Sequence, residues 1–380
     1  MKCSTANSAS GISGTSRLSS PPRRQVLDLP VLRLWVSEHR VEEKRCPQCS
    51  HVTRAVFPPT IAAPAQYGTA IQALAVYLVE GQAVPYARTS QLLQDLLGVQ
   101  LSAGSITTFV GACHQQLAEV ETQIKTALLK AAVIHQDETG LRVGKTRQWV
   151  HVCSTDQLTH YAAHPKRGRE ALKAIGMMEH FAGTSVHDGL ASYQGYPCRH
   201  ALCNVHHLRE LTFIEEELNQ PWAAGMKDLL LDMKQAVEQA RAVGKRELDV
   251  LALGRFHRRY DLLLAQGYQA NAPPPPPHKV HGGRTKQNPA RNLLDRLSTN
   301  KWQVLAFLYD FAVPFDNNQA ERDLRMIKVQ QKVSGCFRTN QGVAIFCRIR
   351  SYLSTLRKQG GHLLSALEQT LAGHPLLPAL

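Results

Sequence analysis

The sequence predicts an α/β protein with a mixed sheet at its centre. Residues 131–200 drop the helical period and fall into short β-branched and apolar runs, AAVIHQDET, QWVHVCST, THYAAH, GTSVHDG and HALC. Helical patterns flank that block on both sides. Acidic residues, Asp137 and Asp188, fall at the ends of two of its runs, each with a glycine close behind.

In chain order, residues 1–24 are rich in Ser and Gly, lack the apolar core of a secretion signal, and read as a disordered tail. Residues 25–63 alternate short apolar runs with charges and reach CPQCSHVTRAVFP, a small strand-and-turn module with Cys46 and Cys49 in a C-x2-C knuckle. Residues 64–130 are helical in pattern and punctuated by Gly81, Pro85, Gly98 and Gly104. Ser102 is placed to cap the helix that carries Ser105, Thr107 and Thr108. Short helices joined by tight turns fit a DNA-binding helix-turn-helix, and fit a plain helical bundle equally well.

In the β block, a Gly-containing turn in LRVGKTR joins the first two runs, and THYAAH completes an antiparallel meander. A helix (GREALKAIG), the strand GTSVHDG, the strand HALC and the helix LRELTFIEEEL follow. Strand-strand-strand-helix-strand-helix-strand-helix is the order of a ribonuclease H-like core, expected over 131–207 and 311–360. Residues 208–310 read as a helical insertion broken by a five-proline run and the basic, turn-rich segment HKVHGGRTK. Helical patterns resume from Asn317 and again over GVAIFCRIRSYLSTLRKQG, and 361–380 reads as a C-terminal tail.

The chain has 380 residues, 43% of them apolar, which is inconsistent with a mainly disordered state. No apolar run approaches the roughly 18–20 residues of a membrane span. Nine scattered cysteines, an odd number, do not form a disulfide framework; reduced thiols in a cytoplasm fit better. The net charge of +14 is localised: residues 1–250 carry 26 basic and 23 acidic side chains, residues 251–360 carry 18 and 6. Such an excess is the footprint of a polyanionic partner, usually nucleic acid. Lys279, Arg284 and Lys286 of the loop after the prolines are candidate DNA contacts.

Three carboxylates are candidates for chemistry: Asp137, Asp188 and Glu321, the last at the start of a helix in DNNQAERDLR. Carboxylate oxygens suit hard divalent cations, and a converging set could hold two ions for phosphoryl transfer. Arg325, Lys328 and Lys332 lie at i+4, i+7 and i+11 from Glu321 and share its helix face. Ala320, Leu324 and Ile327 form an apolar stripe to one side, suited to docking on a sheet. Cys203 precedes His206 by three residues in CNVHHLREL, a pair too small for a structural zinc site and placed either to support the carboxylates or to pack a strand-helix junction.

These stretches together resemble the insertion sequence 66 family of bacterial DDE transposases. The resemblance runs over about residues 25–360, through CPQCSHVTRAVFP, VPYARTSQLLQDLLGVQLSAGSI, IHQDETGLRV, SVHDGLASY, HALCNVHHLRELTFI and VPFDNNQAERDLRMIKVQQKVSGCFRT. It implies DNA transposition with Mg2+, or Mn2+, with an acidic triad on Asp137, Asp188 and Glu321 and a C-x2-H element on Cys203 and His206. The implied partners are transposon-end and target DNA, further copies of the chain in a synaptic complex, and accessory element-encoded proteins; the implied location is the cytoplasm, at the nucleoid. The family's usual two Cys pairs are reduced here to Cys46 and Cys49, so the N-terminus reads as truncated or replaced and zinc binding as doubtful. A metal-dependent nuclease on the same fold and a catalytically inactive DNA-binding remnant are the alternatives.

Overall fold

The structure, a computed structural model, describes residues 23–272 and 287–380. Cys3, most of the N-terminal tail and the basic loop residues Lys279, Arg284 and Lys286 lie outside the described residues. A hairpin of β1 (Glu43–Arg45) and β2 (Val52–Arg54) opens the described chain, with Cys46 and Cys49 in its turn. Helix α1 (Thr69–Val76) runs into a π-helical turn, Tyr77–Gly81, and is followed by α2 (Tyr86–Leu97), α3 (Ala103–Gln116) and α4 (Ala118–Leu129). Gly98 ends α2 in the left-handed conformation that a side chain would oppose (φ 70°). The Ser102 hydroxyl accepts from the Ser105 amide and caps α3, as its sequence position predicts.

The sheet comprises β3 (Val133–Val143), β4 (Thr146–Ser154), β5 (Thr159–His164), β6 (Thr184–His187) and β7 (Arg199–Leu202), with α5 (Arg169–Ile175) between β5 and β6. Its spatial order is β5-β4-β3-β6-β7. The first three strands form an antiparallel meander, whereas β6 and then β7 add parallel to β3 on its other side. One expectation is corrected here: Asp137 does not end its strand. β3 continues through Val143 because β4 pairs with it along nine rungs, to a two-residue turn at Gly144 (φ 56°). β6 pairs only with Val133–His135, so Asp137 lies just past the end of that pairing.

Between β7 and residue 310 the described residues form six helices: α6 (Asn204–Leu218), α7 (Pro221–Ala242), α8 (Val250–Ala270), α9 (Pro289–Thr299), α10 (Lys301–Val304) and α11 (Ala306–Tyr309). Their apolar stripes share one core with Val186, Ala201 and Leu202 of β6 and β7. Helix α12 (Asn318–Val333) then returns to the sheet and buries Ala320, Leu324 and Ile327 against Leu141, Val143, Val150 and Val152 of β3 and β4. Helix α13 (Asn340–Lys358) covers the open edge of β5. Ser351 accepts from the Tyr161 amide and Thr355 from the Thr159 amide, so edge groups that would otherwise invite another strand are satisfied.

The C-terminal segment is no tail. LLSALEQTL forms α14 (Leu363–Leu371), which buries Ala366, Leu367 and Thr370 in the core that α1, α3 and α4 share. No helix among the described residues is long and apolar enough to cross a membrane.

Candidate active site

Parallel pairing sets the first two carboxylates level. Val133 is opposite Thr184 and His135 opposite Val186, and the same offset carried two residues past that last rung brings Asp137 and Asp188 together, an oxygen of each within 4.8 Å. Neighbouring residues at one level of a parallel pair point to the same face. Asp188 follows the last residue of β6 in a turn whose next residue, Gly189, has φ 92°, a conformation a side chain would oppose. The Asp188 carboxylate accepts from the Leu190 amide at 3.1 Å and the His187 Nδ1 accepts from the Gly189 amide at 3.0 Å. His187 therefore carries its proton on Nε2 and donates to His200 Nδ1 at 3.1 Å, and burial holds it neutral by pushing it down to about 3.

Asp137 Oδ1 accepts from the Glu138 amide at 2.8 Å. Burial drives its carboxyl up to about 7, and the negative charges of Glu138, Asp188 and Glu321 push the same way. One oxygen each of Asp137, Glu138 and Asp188 fall within 4.8 Å of one another. Glu138 is already engaged: its buried carboxylate takes Arg167 Nε at 2.8 Å and the Tyr193 hydroxyl at 2.8 Å. Asp137 and Asp188 are consequently the pair with lone pairs to spare.

Glu321 enters from the first turn of α12, where the positive end of the helix favours a carboxylate. Its donor atom groups with those of Cys203 and His206 within 4.8 Å, and His206 Nε2 lies 3.9 Å from Glu321 Oε1. Glu321 does not fall in the 4.8 Å group of Asp137, Glu138 and Asp188, though it is near enough for its charge to add to the rise at Asp137. Cys203 has a structural task, its buried sulfur accepting from the Asn317 amide at 3.2 Å. Asp137 and Asp188 offer converging carboxylate oxygens that fit a hard divalent cation, and Glu321 is a third carboxylate near enough for its charge to act on Asp137.

Of the cations expected beside Glu321, Arg325, Lys328 and Lys332 are exposed along α12, and no carboxylate among the described residues lies within ion-pair distance of them. Cys46 and Cys49 share the β1–β2 turn, where hydrogen bonds from the Cys49 and Gln48 backbone lower the Cys46 thiol. No third metal-ligating group joins them among the described residues.

Sequence reasoning missed Glu138, Arg167, Tyr193 and Asn317. The acidic pair Asp137–Glu138 was visible as a signal, since adjacent strand residues face opposite ways and a second buried acid needs its own partner. Asn317 caps α12 from the junction DNNQ, and its side chain reaches β3 instead of the helix.

A search of curated proteins gave no match. The family described as "Transposase IS66 family" matches residues 64–345, which take in the helical region, the whole five-stranded sheet and α12 with its Glu321. The chain belongs to the IS66 family of transposases.

Proposed function

We propose that this chain is a DDE-type transposase that cleaves and joins DNA phosphodiesters with divalent metal, using Asp137, Asp188 and Glu321 on a ribonuclease H-like core. The observation that carries this reading is the pairing of the Asp137 and Asp188 carboxylates within 4.8 Å, with Glu321 on α12 near enough for its charge to act on Asp137. A central strand flanked by an antiparallel meander on one side and parallel strands on the other supports the assignment of the core. The capped α3, with Thr107 and Thr108 exposed behind an α2–α3 turn, supports a helix-turn-helix role for the helical region.

Bound Mg2+ or Mn2+ would supply charge neutralisation at the scissile phosphate and a more acidic attacking hydroxyl. The chain's own work is positional. β3 and the turn after β6 hold two carboxylates together, Asn317 and Cys203 anchor the start of α12, and His206 borders Glu321. Arg325, Lys328 and Lys332, exposed and without a carboxylate partner among the described residues, offer cations to the flanking phosphates. Arg167 and Tyr193 occupy Glu138, so this acid does not compete as a ligand.

Asp137→Asn, Asp188→Asn and Glu321→Gln are each expected to abolish metal-dependent strand cleavage and joining while leaving DNA affinity within about twofold. Cleavage and strand transfer are measured on the element's end DNA with and without Mg2+, and wild-type cleavage by any of the three variants removes the assignment. Cleavage without joining by the wild-type chain would make it a nuclease.

A further inference from the structure

Asp188 stands one residue past the end of β6, beyond the last rungs that pair β6 with β3 (His135–Val186) and with β7 (His187–Leu202). Its backbone is tied on one side by the Cys203 amide, which donates to the His187 carbonyl at 3.0 Å. On the other side the tie is a side chain, because the Gly189 amide donates to the His187 ring. That bond is the end of a longer line. An amide can only donate, so His187 Nδ1 is the bare nitrogen and its Nε2 carries the proton. The Nε2–H donates to His200 Nδ1, which leaves His200 protonated at Nε2, and that proton meets the Tyr196 carbonyl at 3.2 Å. One amide thus sets the direction of all three bonds.

His187 is fully buried, and the Tyr193 ring lies against it with 4.8 Å between centres while the Tyr193 hydroxyl donates to Glu138. The segment from Tyr193 to His200 therefore holds one imidazole from two sides. An apolar side chain at 187 would fill the same space without two buried nitrogens that each need a partner. What the imidazole adds is an acceptor for the peptide that immediately follows Asp188. Carboxylates that bind metal depend on such outer contacts for their orientation, and losing one weakens the metal without removing a ligand.

We propose that His200, acting through His187, is a positioning residue for Asp188: the line from the Tyr196 carbonyl to the Gly189 amide fixes the peptide after Asp188 and keeps its carboxylate turned toward Asp137. The inference rests on the metal-dependent function proposed above and adds two residues to its machinery, neither of them a ligand. His200 fixes the tautomer of His187, and His187 fixes the turn.

The test reads Mn2+ binding to the full chain without DNA, by electron paramagnetic resonance of the free ion. The wild type is expected to bind Mn2+ at a site that Asp188→Asn removes. His200→Leu, which leaves His187 Nε2 without an acceptor, weakens that binding about tenfold. His200→Asn puts its Oδ1 in the place of Nδ1 and holds the affinity within about threefold of the wild type. Both variants lose the Tyr196 bond and with it some stability, but only His200→Leu loses the metal. Wild-type affinity in His200→Leu overturns the inference, as does an equal loss in the two variants. Nitrogen NMR of the histidine rings gives a second reading: both rings are expected in the Nε2–H form, and a proton on Nδ1 of either one overturns the line. Mn2+ binding that Asp188→Asn leaves untouched removes Asp188 as a ligand and this inference with it. Mn2+ binding as expected, without cleavage of DNA, bears on the proposed function alone.

Discussion

Asn317 spends both ends of its side-chain amide on the strand that carries Asp137. Its Oδ1 accepts from His135 Nδ1 at 2.9 Å, its Nδ2 donates to the Gln136 carbonyl at 2.8 Å, and its own amide donates to the Cys203 sulfur. It is fully buried, four residues before Glu321, so the start of α12 is pinned to β3 and to the head of α6 at one point. Asn317→Ala leaves the buried Gln136 carbonyl and His135 ring unpartnered, which costs about 1–3 kcal/mol of stability. It also frees the turn that aims Glu321, and a displacement of about 1 Å at a reacting centre costs on the order of 100-fold in rate. The expected outcome is a lower denaturation midpoint, together with cleavage that needs more Mg2+ for half-maximal rate; a stability loss with an unmoved Mg2+ dependence would leave Asn317 structural only. Asp137, Asp188 and Glu321, the carboxylates of the proposed site, stand out in the sequence because each lies at a break in a local pattern. Asn317 and Arg167 were not, because their partners lie 181 and 29 residues away along the chain and only the register of the sheet brings them close.

At the scale of the element, α12 divides its surface between two tasks, and the period of its sequence says which residue does which. Ala320, Leu324 and Ile327 are buried against β3 and β4, whereas Arg325, Lys328 and Lys332 are exposed along the face that starts at Glu321. Helical periodicity makes that division readable from a single sequence. β3 was less readable: past Asp137 the residues Glu138, Thr139 and Gly140 give no apolar alternation, and the strand persists because β4 pairs with each of them. The C-terminal segment misled in the opposite way, since nine residues of helix are marginal alone and α14 exists through its docking on α1 and α3. If the exposed row on α12 meets phosphates, Lys328→Ala and Lys332→Ala each weaken DNA binding on all sequences alike and reduce the slope of log affinity against log salt by about one. Binding measured across a salt series decides this, and an unchanged slope in both variants takes α12 off the DNA.

Across the whole molecule, α13 joins what the sheet would otherwise keep apart. Its Val343, Phe346 and Cys347 pack with α12 against β3 and β4, while Ile349, Tyr352, Leu353 and Leu356 belong to the core of α1, α3, α4 and α14. The α/β class and the order of strands were legible from local patterning, but the face on which each helix lies was not, because a stripe of apolar residues names no partner. At the α13 junction the chain buries two ionisable side chains that patterning also hides, Glu80 and Arg350. Glu80 sits in the π-helical turn after α1, and Arg350 of α13 donates to the Gly81 carbonyl at 2.8 Å. Burial drives the Glu80 carboxyl up to about 8, an effect that Arg350 only partly offsets; burial also raises the nearby Cys113 thiol and Tyr86 hydroxyl, and the Glu80 charge adds to both. The folded chain therefore keeps a proton at Glu80 that the unfolded chain has released. By linkage, stability from this group falls as pH rises from the unfolded carboxyl value near 4.5 to about 8, and is level below that window. Glu80→Gln keeps the shape and removes the titration, so its advantage over the wild type should grow across that window to on the order of a few kcal/mol. Urea denaturation of both proteins at pH 5 and pH 8.5 measures the difference, and a wild-type-to-variant gap that stays constant with pH would show that Glu80 is charged in the folded chain.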